Sequence, residues 1–137
     1  MTLAAGRNTK RRDGNKLTLP VQTAKTIYAG GMVTLSTTGG YAVPAGTSLA
    51  GAAVGVADET VVNAGAAGDK TVTVLRGSVF QFDNSLSTDL IARADIGNAC
   101  YIVSDEKVAK TDNSASRAVA GIIVDVDATG VWVKVGT

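Results

Sequence analysis

The feature that most constrains this chain is a strand pattern in its first half that returns in its second. The segment GMVTLSTTGGYAVPAGTSLAGAAVGVAD, from Gly31, aligns without a gap on GNACYIVSDEKVAKTDNSASRAVAGIIVDV, from Gly97. At a constant offset of 66 residues Gly31 meets Gly97, Thr34 meets Cys100, Leu35 meets Tyr101, Ala53 meets Val119, Gly55 meets Gly121 and Val56 meets Ile122. Each half then closes on an alternating strand, Val72-Thr73-Val74 and Val131-Trp132-Val133, now offset by 59. Few of the paired residues are identical. The echo is one of elements: a hairpin, a glycine-containing strand and a closing strand, supplied twice.

Short apolar runs punctuated by Gly and turn residues read as strands. Met32–Leu35, Tyr41–Val43, Ala52–Ala57, Thr71–Leu75 and Val79–Phe82 fit this pattern in the first part of the chain. Residues 36–40 and the Gly-rich stretch 64–70 read as turn and loop, since Gly tolerates positive φ. Residues 85–96 (SLSTDLIARADI) predict one short helix. Ser87 or Thr88 would cap it, Leu86, Leu90, Ile91 and Ala94 would share a face, and Gly97 would end it. The expected fold is all-β: a small barrel or sandwich of about eight short strands, with one short helix and an extended N-terminal arm. Its core must rest on Val, Ile, Leu and Ala, because aromatics make up only 4% of the chain.

The net charge of +1 hides a split. Residues 1–25 hold six basic residues against Asp13 alone, net +5, and residues 26–137 hold seven basic and eleven acidic residues, net −4. Residues 1–25 lack helical and strand periodicity over most of their length and read as an extended basic arm. Residues 26–137 read as a single β domain whose echoed halves span about 31–75 and 97–135. Within the arm Leu17, Leu19 and Val21 alternate, so this piece could add as a strand to a sheet edge. The start, MTLAAGRNTKRR, places its apolar patch before its charges, the reverse of a secretory signal. No run approaches the ~18 apolar residues of a membrane span.

Catalytic patterns are absent from this reading. The chain has no histidine, so the usual triads are unavailable. Ser104 and Lys107 fall in an expected polar turn. The carboxylate pairs Asp58-Glu59 and Asp105-Glu106, and Asp125 with Asp127, suit the polar side of strands and turns better than a hydrolytic dyad. D-V-D-A-T-G, from Asp125, keeps only part of a calcium loop and reads as a hairpin turn. G-A-A-G-D-K-T, from Gly65, lacks the spacing of a phosphate loop and leads into a strand. Cys100 reads as a small buried hydrophobe. No catalytic residue, metal ligand or cofactor is assigned.

The order of elements resembles a family of tailed-phage capsid decoration, or cement, proteins. The likeness covers residues 26–136 and lies in the Gly31-x-Val33 strand, Val54-Gly55-Val56-Ala57, the Ala66–Lys70 turn feeding Val72-Thr73-Val74, and Arg76-Gly77-Ser78-Val79-Phe80. It continues through Gly97 and the Tyr101 strand, Ala120-Gly121-Ile122, and the closing Val131-Trp132-Val133-Lys134-Val135. The resemblance implies a non-enzymatic virion protein, made in the host cytoplasm, that assembles as homotrimers on the capsid exterior. Its partner would be the major capsid protein, and its action would be to stabilise the head shell. The arm residues Arg7, Lys10, Arg11, Arg12, Lys16, Leu17 and Leu19 are the candidates for shell contact. Tyr28, Tyr41, Tyr101 and Trp132 are candidates for contacts between copies, although each reads first as a core or barrel-lining residue. Two other readings stay open: a small nucleic-acid-binding barrel using the arm, and a receptor-binding or fibre module.

Overall fold

The structure is a computed structural model, and it describes residues 2, 4–12 and 14–136. The described residues form twelve strands: β1 (Lys16–Pro20), β2 (Lys25–Ile27), β3 (Met32–Ser36), β4 (Ala42–Pro44), β5 (Ala50–Ala57), β6 (Val61–Asn63), β7 (Thr71–Leu75), β8 (Val79–Phe82), β9 (Ala99–Ile102), β10 (Val108–Ala109), β11 (Val119–Asp127) and β12 (Gly130–Lys134). They form two five-stranded sheets, β1-β7-β5-β3-β4 and β8-β12-β11-β9-β10, and a small pair, β2-β6. All ladders within the sheets are antiparallel. The all-β expectation holds.

The two large sheets share one strand order, and their registers superpose strand by strand. Leu17 faces Val74 across β1 and β7, as Phe80 faces Val133 across β8 and β12. Ala57 faces Val74, as Ile123 faces Val133. In β5, Gly55 and Ala53 face Val33 and Thr34, leaving Val54 as an extra bulge residue. In β11, Gly121 and Val119 face Cys100 and Tyr101, leaving Ala120 as the extra one. A bulge of this kind bends and twists its strand, and here it sits at the same place in both halves.

This register corrects the gapless alignment by one residue in the first strand. Val33, not Thr34, is the counterpart of Cys100, because residues 36–41 between the paired Leu35 and Ala42 are one more than residues 103–107 between the paired Ile102 and Val108. The later pairs keep the offset of 66, and the closing strands keep 59. The net difference of seven arises after β5, where the longer segment 58–70 carries β6 and takes the place of the tight turn after β11.

Both bulge glycines are needed sterically. A Cβ on Gly55 would lie 2.6 Å from the Leu75 carbonyl oxygen, and one on Gly121 would collide with the equivalent oxygen of Lys134. Gly136 likewise lets the end of the chain pass against the Val54 backbone, and its carbonyl accepts a hydrogen bond from Arg76 Nε at 3.2 Å.

Two buried clusters follow from strand alternation. The first sheet's inner face supplies Val33, Ala42, Ala57, Val72, Val74 and, partly buried, Leu17 and Leu19, covered by Val21, Ile27 and the partly buried Val61. The equivalent face of the second sheet supplies Phe82, Cys100, Ile102, Ile123, Val131 and Val133. Its cover comes from the first half: Met32, Ala45 and Val56 belong to that same cluster. Met32 and Val56 sit on the opposite side of β3 and β5 from Val33 and Ala57. Around Val33, Met32 and Val56 the first sheet is therefore buried on both faces, and there its outer face packs into the core of the second half. Each fully buried Val or Met contributes ~1.5–3 kcal/mol relative to exposure.

Two sequence expectations are corrected. The helix over 85–96 is instead two single 3-10 turns, Ser87–Asp89 and Arg93–Asp95, with no side-chain cap at either start. Leu86 and Leu90 are exposed, and only Ile91 turns inward. The Asn84 side chain holds the segment, accepting from Ile91 N and donating to Ile91 O, both at 2.9 Å. Asp89 is drawn to Arg117 at 3.2 Å and Asp95 to Lys110 at 3.7 Å, so the two carboxylates anchor the turns sideways.

The second correction concerns the arm. Residues 16–25 are part of the fold, because β1 pairs along its length with β7 and Val21 is fully buried. Pro20 is tolerated because β1 is an edge strand. The strand-forming piece found its sheet edge within its own chain.

Candidate interaction surfaces

Sites of chemistry resolve into structural roles. Asp127 Oδ1 accepts from the backbone of Thr129 at 2.8 Å and of Gly130 at 3.1 Å, and Oδ2 accepts from the Trp132 indole at 2.9 Å. The hydrogen bonds from the Thr129 hydroxyl and from Trp132 hold its carboxyl down at about 2. D-V-D-A-T-G is thus a hairpin corner whose acid is spent on its own turn. Ser104 and Lys107 close a turn, with Ser104 N donating to Lys107 O at 3.2 Å. Burial pushes the Cys100 thiol up to about 12. Among the described residues no three His, Cys, Asp or Glu are grouped to hold a metal ion, and no helix is long and apolar enough to cross a membrane.

The seven candidate arm residues divide. Arg7, Lys10, Arg11 and Arg12 are exposed and lie ahead of the first strand. None of the four forms an ion pair among the described residues. Lys16, Leu17 and Leu19 belong to β1, where the two leucines pack on the first core. The basic segment thus shortens to the residues before Lys16, and the body it leaves from keeps a net negative charge.

The four aromatic candidates divide too. Tyr28 is 61% exposed, in the loop between β2 and β3. Tyr41 is half-buried at the start of β4, near Gly68 and Pro20. Tyr101 and Trp132 alternate with the core residues Cys100, Ile102, Val131 and Val133, which places both on the outer face of the second sheet, half-buried.

That outer face was not legible from sequence. Val119, Ile122 and Val124 of β11 are 40%, 40% and 42% exposed. Tyr101 stands opposite Val119 in the ladder, and Lys134 opposite Ile122. The face runs into a groove of about 430 Å³ between the halves, lined by Leu17, Leu35 and Val54 on one side and Val119 and Ile122 on the other. In the five strands of the first sheet no large hydrophobic residue is comparably exposed among the described residues. The signal available in the sequence was V-A-G-I-I-V, where apolar residues occupy both faces of one strand, against the ordinary apolar-in, polar-out alternation of a half-solvated sheet.

A polar cleft of about 400 Å³ on the other side of the junction is lined by Thr34, Ser48, Ser116 and Arg117. Its one cation is already held by Asp89 and by the Thr111 carbonyl at 3.1 Å. Compared with known proteins, the chain matches no family model, no curated protein and no solved structure.

Proposed function

We propose that this chain is a structural virion protein that binds the outside of a tailed-phage capsid through the major capsid protein and stabilises the head shell as a homotrimer. The observation that carries the reading is the exposed basic segment, Arg7, Lys10, Arg11 and Arg12, leaving the edge strand of a compact body of opposite net charge. The resemblance in element order supports it, and so does the engagement of the chain's polar groups in turns and caps. An extended charged segment wraps a partner at the expense of ordering entropy, and many weak copies on a repeating shell gain by avidity.

The test is cosedimentation of the chain with empty cognate shells, with and without residues 2–14. The full chain should pellet with shells, and the truncated one should bind at least tenfold more weakly. Failure of the full chain to bind at low salt would overturn the reading. The same four cations favour one rival, binding to nucleic acid. A gel-shift salt series separates the two: tight binding to duplex or single-stranded DNA that falls steeply with salt would replace the capsid reading.

A further inference from the structure

We propose that the polar cleft between the two halves, walled by Thr34 and Arg117, binds a small oxyanion, the carboxylate or phosphate group of a ligand. This site goes beyond the capsid reading and does not depend on it.

The cleft, of about 400 Å³, lies between equivalent loops of the repeat. One lip is the β4–β5 connection, with Ser48 and Leu49, and the other is the β10–β11 connection, with Ser116 and Arg117. At the offset of 66 Leu49 matches Ala115, and both adopt a left-handed backbone, with φ of 56° and 65°. The second loop adds two more such residues that the first loop lacks, Asn113 at 50° and Ser114 at 57°. A Cβ disfavours this region, and conformations of this kind gather at ligand clamps. Gly46 seats the first loop on the second half. A Cβ there would lie 3.1 Å from Ser104 Cα and 3.2 Å from the Val103 carbonyl oxygen. The gap is thus framed by closely packed backbone rather than by loose loops.

The two side chains that give the cleft its chemistry break the repeat. Thr34 has Tyr101 as its counterpart, and Arg117 has Gly51. Thr34 is 1% exposed, and its Oγ1 has no hydrogen-bond partner among the described residues. Buried hydroxyls are as a rule bonded, and an unsatisfied one lowers stability. A valine would fill nearly the same space without that cost. Arg117 supplies the charge. Its Nη1 is fixed by Asp89 Oδ2 at 3.2 Å and by the Thr111 carbonyl at 3.1 Å. Its Nε and Nη2 form no hydrogen bond among the described residues. A guanidinium pinned at one nitrogen holds its other donors in a fixed plane, and that planar fork matches an oxyanion bidentately. Ser48 brings a further hydroxyl to the lip. No aromatic ring lines the cleft, so it offers no platform on which a nucleobase could stack.

Amide and guanidinium NMR of the isotope-labelled full chain tests the proposal. The chain is titrated at constant ionic strength with sodium acetate and, separately, with inorganic phosphate. Saturable shifts are expected at Thr34, Ser48, Ser116 and the Arg117 guanidinium. Tighter binding of acetate assigns the site to carboxylates, and tighter binding of phosphate assigns it to phosphate groups. Arg117→Lys keeps the charge but loses the fork, and should bind roughly fivefold more weakly or worse. Thr34→Val should bind roughly threefold more weakly while its ligand-free thermal midpoint rises by about 2–4 °C, since the orphan hydroxyl is gone. Should Arg117→Lys fail to fold, Thr34→Val decides alone. No saturable shift with either anion would overturn the inference. So would shifts confined to residues 7–12, or a Thr34→Val chain that binds as the parent does.

Discussion

The two halves of the molecule have the same strands in the same order, with the same bulge opposite the same pair of residues, and yet they are finished differently. The first half has both sheet faces closed over β3 and the end of β5, one by its own insertion and β2, the other by the second half. The second half has one face closed and one open. Repeating a fold does not repeat its environment. The residue choices track the environment: Ala53 and Val56 fit a packed junction, while Val119 and Ile122 line an open groove between the halves. The symmetry is broken in two places. The exposed Val119 and Ile122 belong to the second half alone, and the basic segment to the first half alone.

The largest effect should come from cutting the chain on either side of β1. Removing residues 2–14 should leave the thermal midpoint within a few degrees of the parent. Removing residues 1–25 strips β1 and the fully buried Val21 from the first core, and should unfold the first half or leave the protein insoluble. Circular dichroism melts of both truncated chains check this. Equal stability would mean that the first half does not depend on its edge strand.

Next in size is the junction. Met32→Ala deletes a fully buried side chain shared between the halves. Urea unfolding should show a loss of ~2–5 kcal/mol. A loss under ~1 kcal/mol would mean that the halves are stable separately and merely touch. The paired bulges give a smaller, matched effect. Gly55→Ala and Gly121→Ala each push a methyl at a neighbouring strand's carbonyl oxygen and should each cost ~1–3 kcal/mol. A neutral result at one glycine only would break the equivalence of the two bulges.

The smallest effect concerns the hairpin corner, which exists only in the second half. Asp127 is held near 2, below its ordinary value of 3.8, so its contribution is fully present above pH 4 and fades as the pH falls through 2. Trp132, the chain's one tryptophan, reports on it directly through its bond to Asp127. Its fluorescence should shift between pH 4 and 2 in the parent and stay flat over that window in Asp127→Asn.

Much of the fold was legible because alternation is a local property. Val72-Thr73-Val74 and Val131-Trp132-Val133 each announce one buried face, and the glycines at 55 and 121 mark the bulges. The helix over 85–96 failed because its periodicity had nothing to bury Leu86 and Leu90 against, while Asn84, Arg117 and Lys110 held the segment from outside it. The strands β2 and β6, three residues each, are too short to show a period. What fixes the insertion is the buried Asn63, whose amide reaches the carbonyls of Val21 and Ala66 at 2.9 and 3.0 Å, contacts that only the folded chain reveals. The layout of the arm was half legible: charge marked Arg7 to Arg12 as a segment apart from the body, but Leu17 and Leu19 carried the same alternation whether their sheet was a partner's or their own.

The proposed function is that the protein coats a shell through its basic segment. Electron cryomicroscopy of cognate empty shells incubated with the full chain tests it most directly. The proposal predicts density on the shell exterior, with residues 7–12 lying on the capsid protein. Bare shells, or bound copies whose residues 7–12 point away from the shell, would contradict it.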